Sequence, residues 1–347
     1  AQGVNCAPVE RSGFVAAPTG KDLGPVLTDT EVRTCKKLTG KKAAAFVDDV
    51  LWALRDLART NPGSVWEVPF FKMLKECHDK YGLKIQLNLF YRADFFYGAD
   101  EFSLADVPDR FKDEFQGAKG WLKFGFHSQH EFPDYPWVNI DYADMKFFFE
   151  RIQNEVRRFA GEGMFAKAVV PHWLPVSKDG CRAMRDCGAT VICCTDGPRI
   201  AYEGDPSVLP YGHAARVEHN RKPETALYRR VCNDVAIAAS VAAYNHTSTA
   251  QTEETCGRLK YVYDRATGLA FKRFRSAPML NLDRLEDLER EFSKSLKYDF
   301  MCFANHEQYF YPDYLAHQPD YGAKMLFASK FAHDHGYEFV FIEDTVD

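Results

Sequence analysis

From Ala43 onward, short apolar runs alternate with amphipathic stretches. That rhythm is the mark of strands joined by helices in a mainly parallel sheet. Seven runs read as strands: residues 43–47, 83–90, 121–126, 167–170, 189–194, 298–304 and 337–342. Phe70, Leu74, Cys77 and Tyr81 recur at helical spacing, which predicts a helix over about 68–81 ended by Gly82. Further helices are predicted over about 142–160, over 178–187 before Gly188, and over 321–335 before Gly336. The strand runs share one more property: each gives way to polar residues at its C-terminal end. Asp48-Asp49, Tyr91-Arg92, His127, Pro171-His172, Thr195-Asp196, Asn305-His306 and Glu343-Asp344 stand at these ends. An α/β barrel builds its site at the C-terminal ends of its strands, so the pattern predicts such a barrel. A doubly wound open sheet is the alternative, but no G-x-G-x-x-G turn comes after the first strand.

Two segments break the rhythm. Residues 1–42 lack periodicity and read as an extended N-terminal segment packed on the barrel, which then occupies 43–347. Residues 197–280 read as an irregular insertion. Within it, 261–274 forms a β-hairpin turning at Ala266-Thr267-Gly268, and 237–243 is a candidate further strand.

Composition narrows the function classes. The chain has 347 residues, 46% of them hydrophobic, enough for a large core, and a net charge of −5. No basic field exists to hold a phosphate backbone, so a nucleic-acid partner is not expected. No apolar run approaches a membrane span. A cytoplasmic location is the expectation, with a leader removed from the chain left open. Ten cysteines are scattered without a C-x-x-C pair and read as buried reduced thiols, a Cys6–Cys35 bridge being left open. Aromatic rings, at 14% of residues, suit both a core and a sugar-stacking cleft.

Several strand-end residues can carry chemistry. Asp48 and Asp49 offer a base beside a metal ligand, provided the chain turns there, because neighbouring strand residues point opposite ways. A helix cap is the plainer reading of such a pair. His127 and Glu131, four apart on a helical turn, suit one metal, with His130 alongside. His306 can act as an acid to a leaving group. Arg92, His172, Trp173, Tyr135 and Trp137 are candidate substrate contacts, as are Tyr309 and Tyr311. His213, His219 and His246 read as loop histidines, and His333 and His335 as the end of a helix.

The order of these motifs resembles the polysaccharide deacetylase superfamily: Asp48-Asp49 after the first strand, His127-Ser128 after a middle one and His306 after a late one. The resemblance implies a distorted (β/α) barrel of seven or eight strands with an irregular, β-containing insertion. It implies a metal-dependent hydrolase removing an N- or O-acetyl group from a carbohydrate. Asp48 resembles the family's base, Asp49 and His127 its ligands to a divalent metal, zinc foremost, and His306 its late catalytic histidine. Two positions depart from the family. Phe46-Val47 stands where Thr-Phe precedes the acidic pair, and Glu131 stands where the second metal histidine is found, so Glu131 or His130 is the third ligand or the metal is lost. The segments around Pro133 and His306 are similar to deacetylase-like bacterial proteins. A carbohydrate-binding protein without metal, a glycoside hydrolase using two of Asp48, Asp49, Glu131 and Glu343, and a non-carbohydrate amidase remain alternatives.

Overall fold

The computed structural model describes residues 27, 29–93, 101–131, 136–137, 140–195, 244–314 and 316–347. The seven runs are all strands. In chain order the strands are β1 (Thr30–Thr34), β2 (Lys42–Val50), β3 (Ile85–Phe90), β4 (Arg92–Ala93), β5 (Phe102–Ser103), β6 (Leu122–Ser128), β7 (Ala168–Val169), β8 (Val191–Cys193), β9 (Lys260–Asp264), β10 (Leu269–Lys272), β11 (Phe300–His306) and β12 (Glu338–Phe339). One sheet is parallel, in the order β11-β2-β3-β6. The other runs β1-β9-β10-β8-β7, its β7, β8 and β10 parallel and β1 and β9 antiparallel additions. Single parallel bridges lie at both edges of the parallel sheet, Phe124 of β6 to Phe165 shortly before β7, and Ala304 of β11 to Met279 in the chain after β10. The result is a distorted α/β barrel built of two mainly parallel sheets.

Strand periodicity sorts the core into two clusters. Ala43, Ala45 and Val47 of β2, with Met301 and Phe303 of β11, pack in the larger cluster, which also takes the buried faces of the helices. Ala44 and Phe46, with Phe300, Cys302, Ala304, Ala168, Val170, Val191 and Cys193, form the inner cluster. Alternate residues of each strand therefore face the barrel interior. Continued one step past the inner cluster, these rows reach Asp48 on β2, His306 on β11 and His172 beyond β7. On β6 the outward row is Leu122, Phe124 and Phe126, which puts Gly125 and His127 inward.

The helices predicted from spacing are present: α2 (Pro69–Tyr81), α4 (Tyr142–Phe159), α5 (Lys178–Asp186) and a final helix, Tyr321–Asp334. A short α3 (Lys112–Gly117) precedes β6. The signals of the predicted helices are local. Pro69 opens α2 and Gly82 closes it at φ 71°, while Asp141 and Ser177 cap α4 and α5 by accepting from backbone N–H groups. Helix α1 (Trp52–Thr60) lies outside the predicted set, and it has no side-chain cap from its own segment. Its cap comes from across the fold. The buried carboxylate of Glu307, just past β11, accepts from the N–H groups of Leu51, Trp52 and Ala53 at 2.6, 2.7 and 2.8 Å.

Three expectations are corrected here. The hairpin at 261–274 is no excursion from the barrel, because β10 pairs parallel with β8. Residues 30–34 form an edge strand on β9. Among the described residues the last run, β12, pairs only with Lys42 and Ala43 at the start of β2. Glu343 accordingly lies at the opposite end from the strand termini, where it accepts from Lys123 Nζ and the Lys167 N–H. It has no place among the site carboxylates. The candidate strand at 237–243 and His213 and His219 lie outside the described residues, as does Cys6. His246 is buried and bonds Thr195 Oγ1 at 2.9 Å. Cys193 and Cys194 are buried, as expected of a strand.

Removing the Glu307 carboxylate strands three buried donors. Glu307→Ala is expected to lower the free energy of unfolding by about 3 kcal/mol or more, read as a drop in urea midpoint without a change in slope. A loss below about 1 kcal/mol would show that α1 does not depend on this cap.

Candidate metal centre

The site forms where four inward rows end. Asp48 completes the Ala44-Phe46 row, and its Oδ1 accepts from Asn88 Nδ2 at 2.7 Å. Asn88 is itself held by Gln86 Nε2 at 2.7 Å. Gly125 leaves room for that pair, since a Cβ there would lie 2.5 Å from Asn88 Oδ1. Asp49 should point away from Asp48, and it does not follow the strand. Its φ is 61°, and the β2–β3 register shifts between Val47 and Val50. Aspartate tolerates this left-handed region better than most residues. The turn brings Asp49 inward as well. Gln308 Nε2 donates to its Oδ2 at 2.8 Å, and Oδ1 meets His127 Nε2 at 3.0 Å.

His172 completes a triangle. Its Nδ1 lies 3.1 Å from His127 Nε2 and 3.6 Å from Asp49 Oδ1. Each imidazole is fixed through its far nitrogen. His127 Nδ1 is 2.6 Å from the Val170 carbonyl, and His172 Nε2 is 2.9 Å from the Glu131 carbonyl. A carbonyl only accepts, so those nitrogens carry the protons. With both rings neutral, the two nitrogens facing Asp49 present lone pairs. Three candidate ligand atoms thus converge in a buried site, where either a proton on His127 or a cation balances the Asp49 charge. Burial pushes the His127 pKa down, but the neighbouring Asp48 and Asp49 carboxylates outweigh it and raise it to about 9. Ligands at about 2.0–2.1 Å from a tetrahedral ion stand about 3.3 Å apart, which is the size of this triangle. Backbone carbonyls orienting the far nitrogens are the usual outer support of metal-bound imidazoles. The residues fit a divalent cation.

The third atom of the cluster therefore comes from His172, which the sequence places among the candidate substrate contacts. Glu131 is buried beside the cluster, and its carboxylate meets Asp49 through Gln308, whose Nε2 lies 3.3 Å from Glu131 Oε2. Its backbone carbonyl orients His172. His130 is outside the cluster. Both residues lie beyond the last position of β6, where no strand row directs a side chain inward. His172 carried a signal in the sequence, since Ala168, Val170 and His172 continue one row. Beyond it the chain turns through Trp173 and Leu174 at φ 60° and 73°, positions that cost about 1–3 kcal/mol each.

A cavity of about 430 Å³ opens beside the cluster, and Asp48, His127, His172, Trp173 and His306 line it. His306 pairs in register with Asp48 on the neighbouring strand. Its Nδ1 bonds Asn281 Oδ1 at 3.0 Å, which turns Nε2 away from that contact. Trp137 does not line the cavity. It is buried and donates from Nε1 to the His127 carbonyl at 3.0 Å, so it braces the cluster. Arg92 lies on the Asp49, Glu131 and Gln308 side of the cluster, away from the main cavity. Tyr309 and Tyr311 are buried in the core, and Tyr135 lies outside the described residues.

No family model and no curated protein matches the chain. Among solved structures it is similar to the Xyl-CE4 domain of a multidomain xylanase from the hindgut metagenome of Trinervitermes trinervoides, at 10% identity over 88% of this chain and 90% of that one, with a TM-score of 0.39. It is similar to a CE4 family pseudoenzyme from Bacillus anthracis, at 9% identity over 89% of this chain and 66% of that one, with a TM-score of 0.38. A third, described as a polysaccharide deacetylase from Mycobacterium smegmatis, is 10% identical over 94% of this chain and 90% of that one, with a TM-score of 0.38. Resemblance at this level leaves the function to be read from the site itself.

A pKa of about 9 keeps His127 doubly protonated at neutral pH in the metal-free protein. Added zinc is expected to displace the Nε2 proton and leave the Nδ1–H tautomer. Long-range ¹H–¹⁵N correlation spectra of the two rings, before and after zinc, check this. Unchanged His127 and His172 ring shifts would contradict it.

Proposed function

We propose that this chain is a metal-dependent hydrolase that removes an acyl group, acetyl foremost, from a carbohydrate. The observation that carries the reading is the convergence of Asp49 Oδ1, His127 Nε2 and His172 Nδ1, with both rings fixed from behind by backbone carbonyls. These three atoms would hold the divalent cation, with zinc the first choice for an N,N,O set. Such an ion supplies Lewis acidity and lowers the pKa of water toward 7.

The remaining roles fall to residues of the same cavity. Asp48 is a carboxylate beside the cluster, held by Asn88 and standing 3.9 Å from His127 Nδ1. It would accept the proton of the attacking water. His306 stands next to it in register on β11 and is partly exposed to the cavity. It would donate a proton from Nε2 to the departing amine or alkoxide, while Asn281 Oδ1 keeps accepting from Nδ1 and fixes the ring. Trp173 would offer an aromatic ring to a sugar at the cavity wall.

Acetate release from acetylated oligosaccharides, followed with and without chelator, tests the reading. Activity is expected to fall on chelation and return with zinc or cobalt. Asp48→Asn is expected to retain the ion and lose about 10²–10⁴-fold in kcat, and His306→Ala to lose most on substrates with poor leaving groups. New reducing ends in place of acetate would make the protein a glycoside hydrolase. Sugar binding with neither metal nor turnover would make it a binding protein.

A further inference from the structure

The cavity beside the metal cluster carries a second chemical feature that acyl hydrolysis does not require. Arg273 and Arg275 line it together with Asp48, His127, His172 and His306. They stand two residues apart in the chain that leaves β10, with the fully buried Phe274 between them. Arg275 is half-buried, and among the described residues no carboxylate forms an ion pair with it. Asp283 exerts a smaller coulombic attraction on it. Burial, and then repulsion by Arg273, hold the Arg275 pKa below the usual guanidinium range. Much of the remaining lining is apolar, including Phe46, Val170, Leu174 and Met279. Such walls lower the local dielectric and strengthen any charge pair formed there.

A neutral sugar would bring this guanidinium no opposite charge. An oxyanion would meet its planar fork with two parallel N–H···O bonds. We propose that the cavity takes an acylated sugar bearing an anionic oxygen group, a carboxylate or a phosphate, which Arg275 holds with Arg273 beside it. The proposal rests on the hydrolase reading for its acyl group and on the arginine pair for its charge. The whole chain is acidic, at −5, so these arginines are local to the cavity and not part of a general surface charge.

Three probes differing in one substituent test it: N-acetylglucosamine, its 6-phosphate and its 3-O-lactyl ether. Wild-type kcat/KM for acetate release is expected to favour an anionic probe by about tenfold to a hundredfold. Which anionic probe wins identifies the group. Arg275→Gln is expected to bring the anionic-to-neutral ratio close to one, and Arg275→Lys to restore part of it, because charge returns without the fork. Equilibrium titration of wild type and Arg275→Gln with the same probes reads recognition without turnover. Tighter, Arg275-dependent binding of an anionic probe with no acetate released would overturn the hydrolase reading and uphold this one. Equal turnover of all three probes would do the reverse. A preference unchanged in Arg275→Gln, or no preference in either readout, overturns the proposal.

Discussion

Asp49 is held in left-handed backbone inside an otherwise regular strand, and the site depends on that constraint. A straight β2 would send Asp48 into the barrel and Asp49 into the helix-facing layer, among Ala43, Ala45 and Val47. The turn at φ 61° puts two adjacent carboxylates on one side, Asp48 toward the cavity and Asp49 toward the histidines. Strain of this kind costs about 1–3 kcal/mol and persists only where the surroundings enforce it. Here they do. Gln308 holds the other carboxylate oxygen of Asp49, and Glu307 fixes the chain just after it by capping α1. Both residues come after β11, the strand that lies beside β2 and supplies His306. One pair of neighbouring strands thus builds the acidic half of the site.

The other half is built on β6 and β7, and there the sequence was only partly legible. His127 was readable because it ends an apolar run, and the same row logic applied to His172. Glu131 and His130 drew attention by their spacing from His127, a helical argument applied to a stretch that does not extend β6. The spacing that matters instead is the strand period, which places His172 inward after Ala168 and Val170. Glu131 still serves the cluster, through its backbone carbonyl and through Gln308. A backbone role of that kind leaves no trace in residue identity.

The fold was legible wherever its signals are local. Strand rows, Pro69, Gly82, Asp141 and Ser177 marked their elements from neighbouring residues alone. What could not be read depends on pairs far apart in the chain. Glu307 caps a helix more than two hundred residues away, and Asn281 orients His306 from a separate loop. β12 resembles the other apolar runs in composition but finds its partner at the wrong end of β2 for a site strand. The hairpin of β9 and β10 was recognisable as a hairpin, but its parallel docking on β8 was not, and that docking is what brings Arg273 and Arg275 to the cavity.

The central claim is that His172, with Asp49 and His127, holds a divalent ion while Glu131 stands outside its coordination. Anomalous diffraction from a zinc-loaded crystal tests this most directly. The expected result is one peak about 2.0–2.2 Å from Asp49 Oδ1, His127 Nε2 and His172 Nδ1, with the Glu131 carboxylate still on Gln308. A peak coordinated by Glu131 or His130 in place of His172, or a cluster that stays empty at saturating zinc, would contradict it.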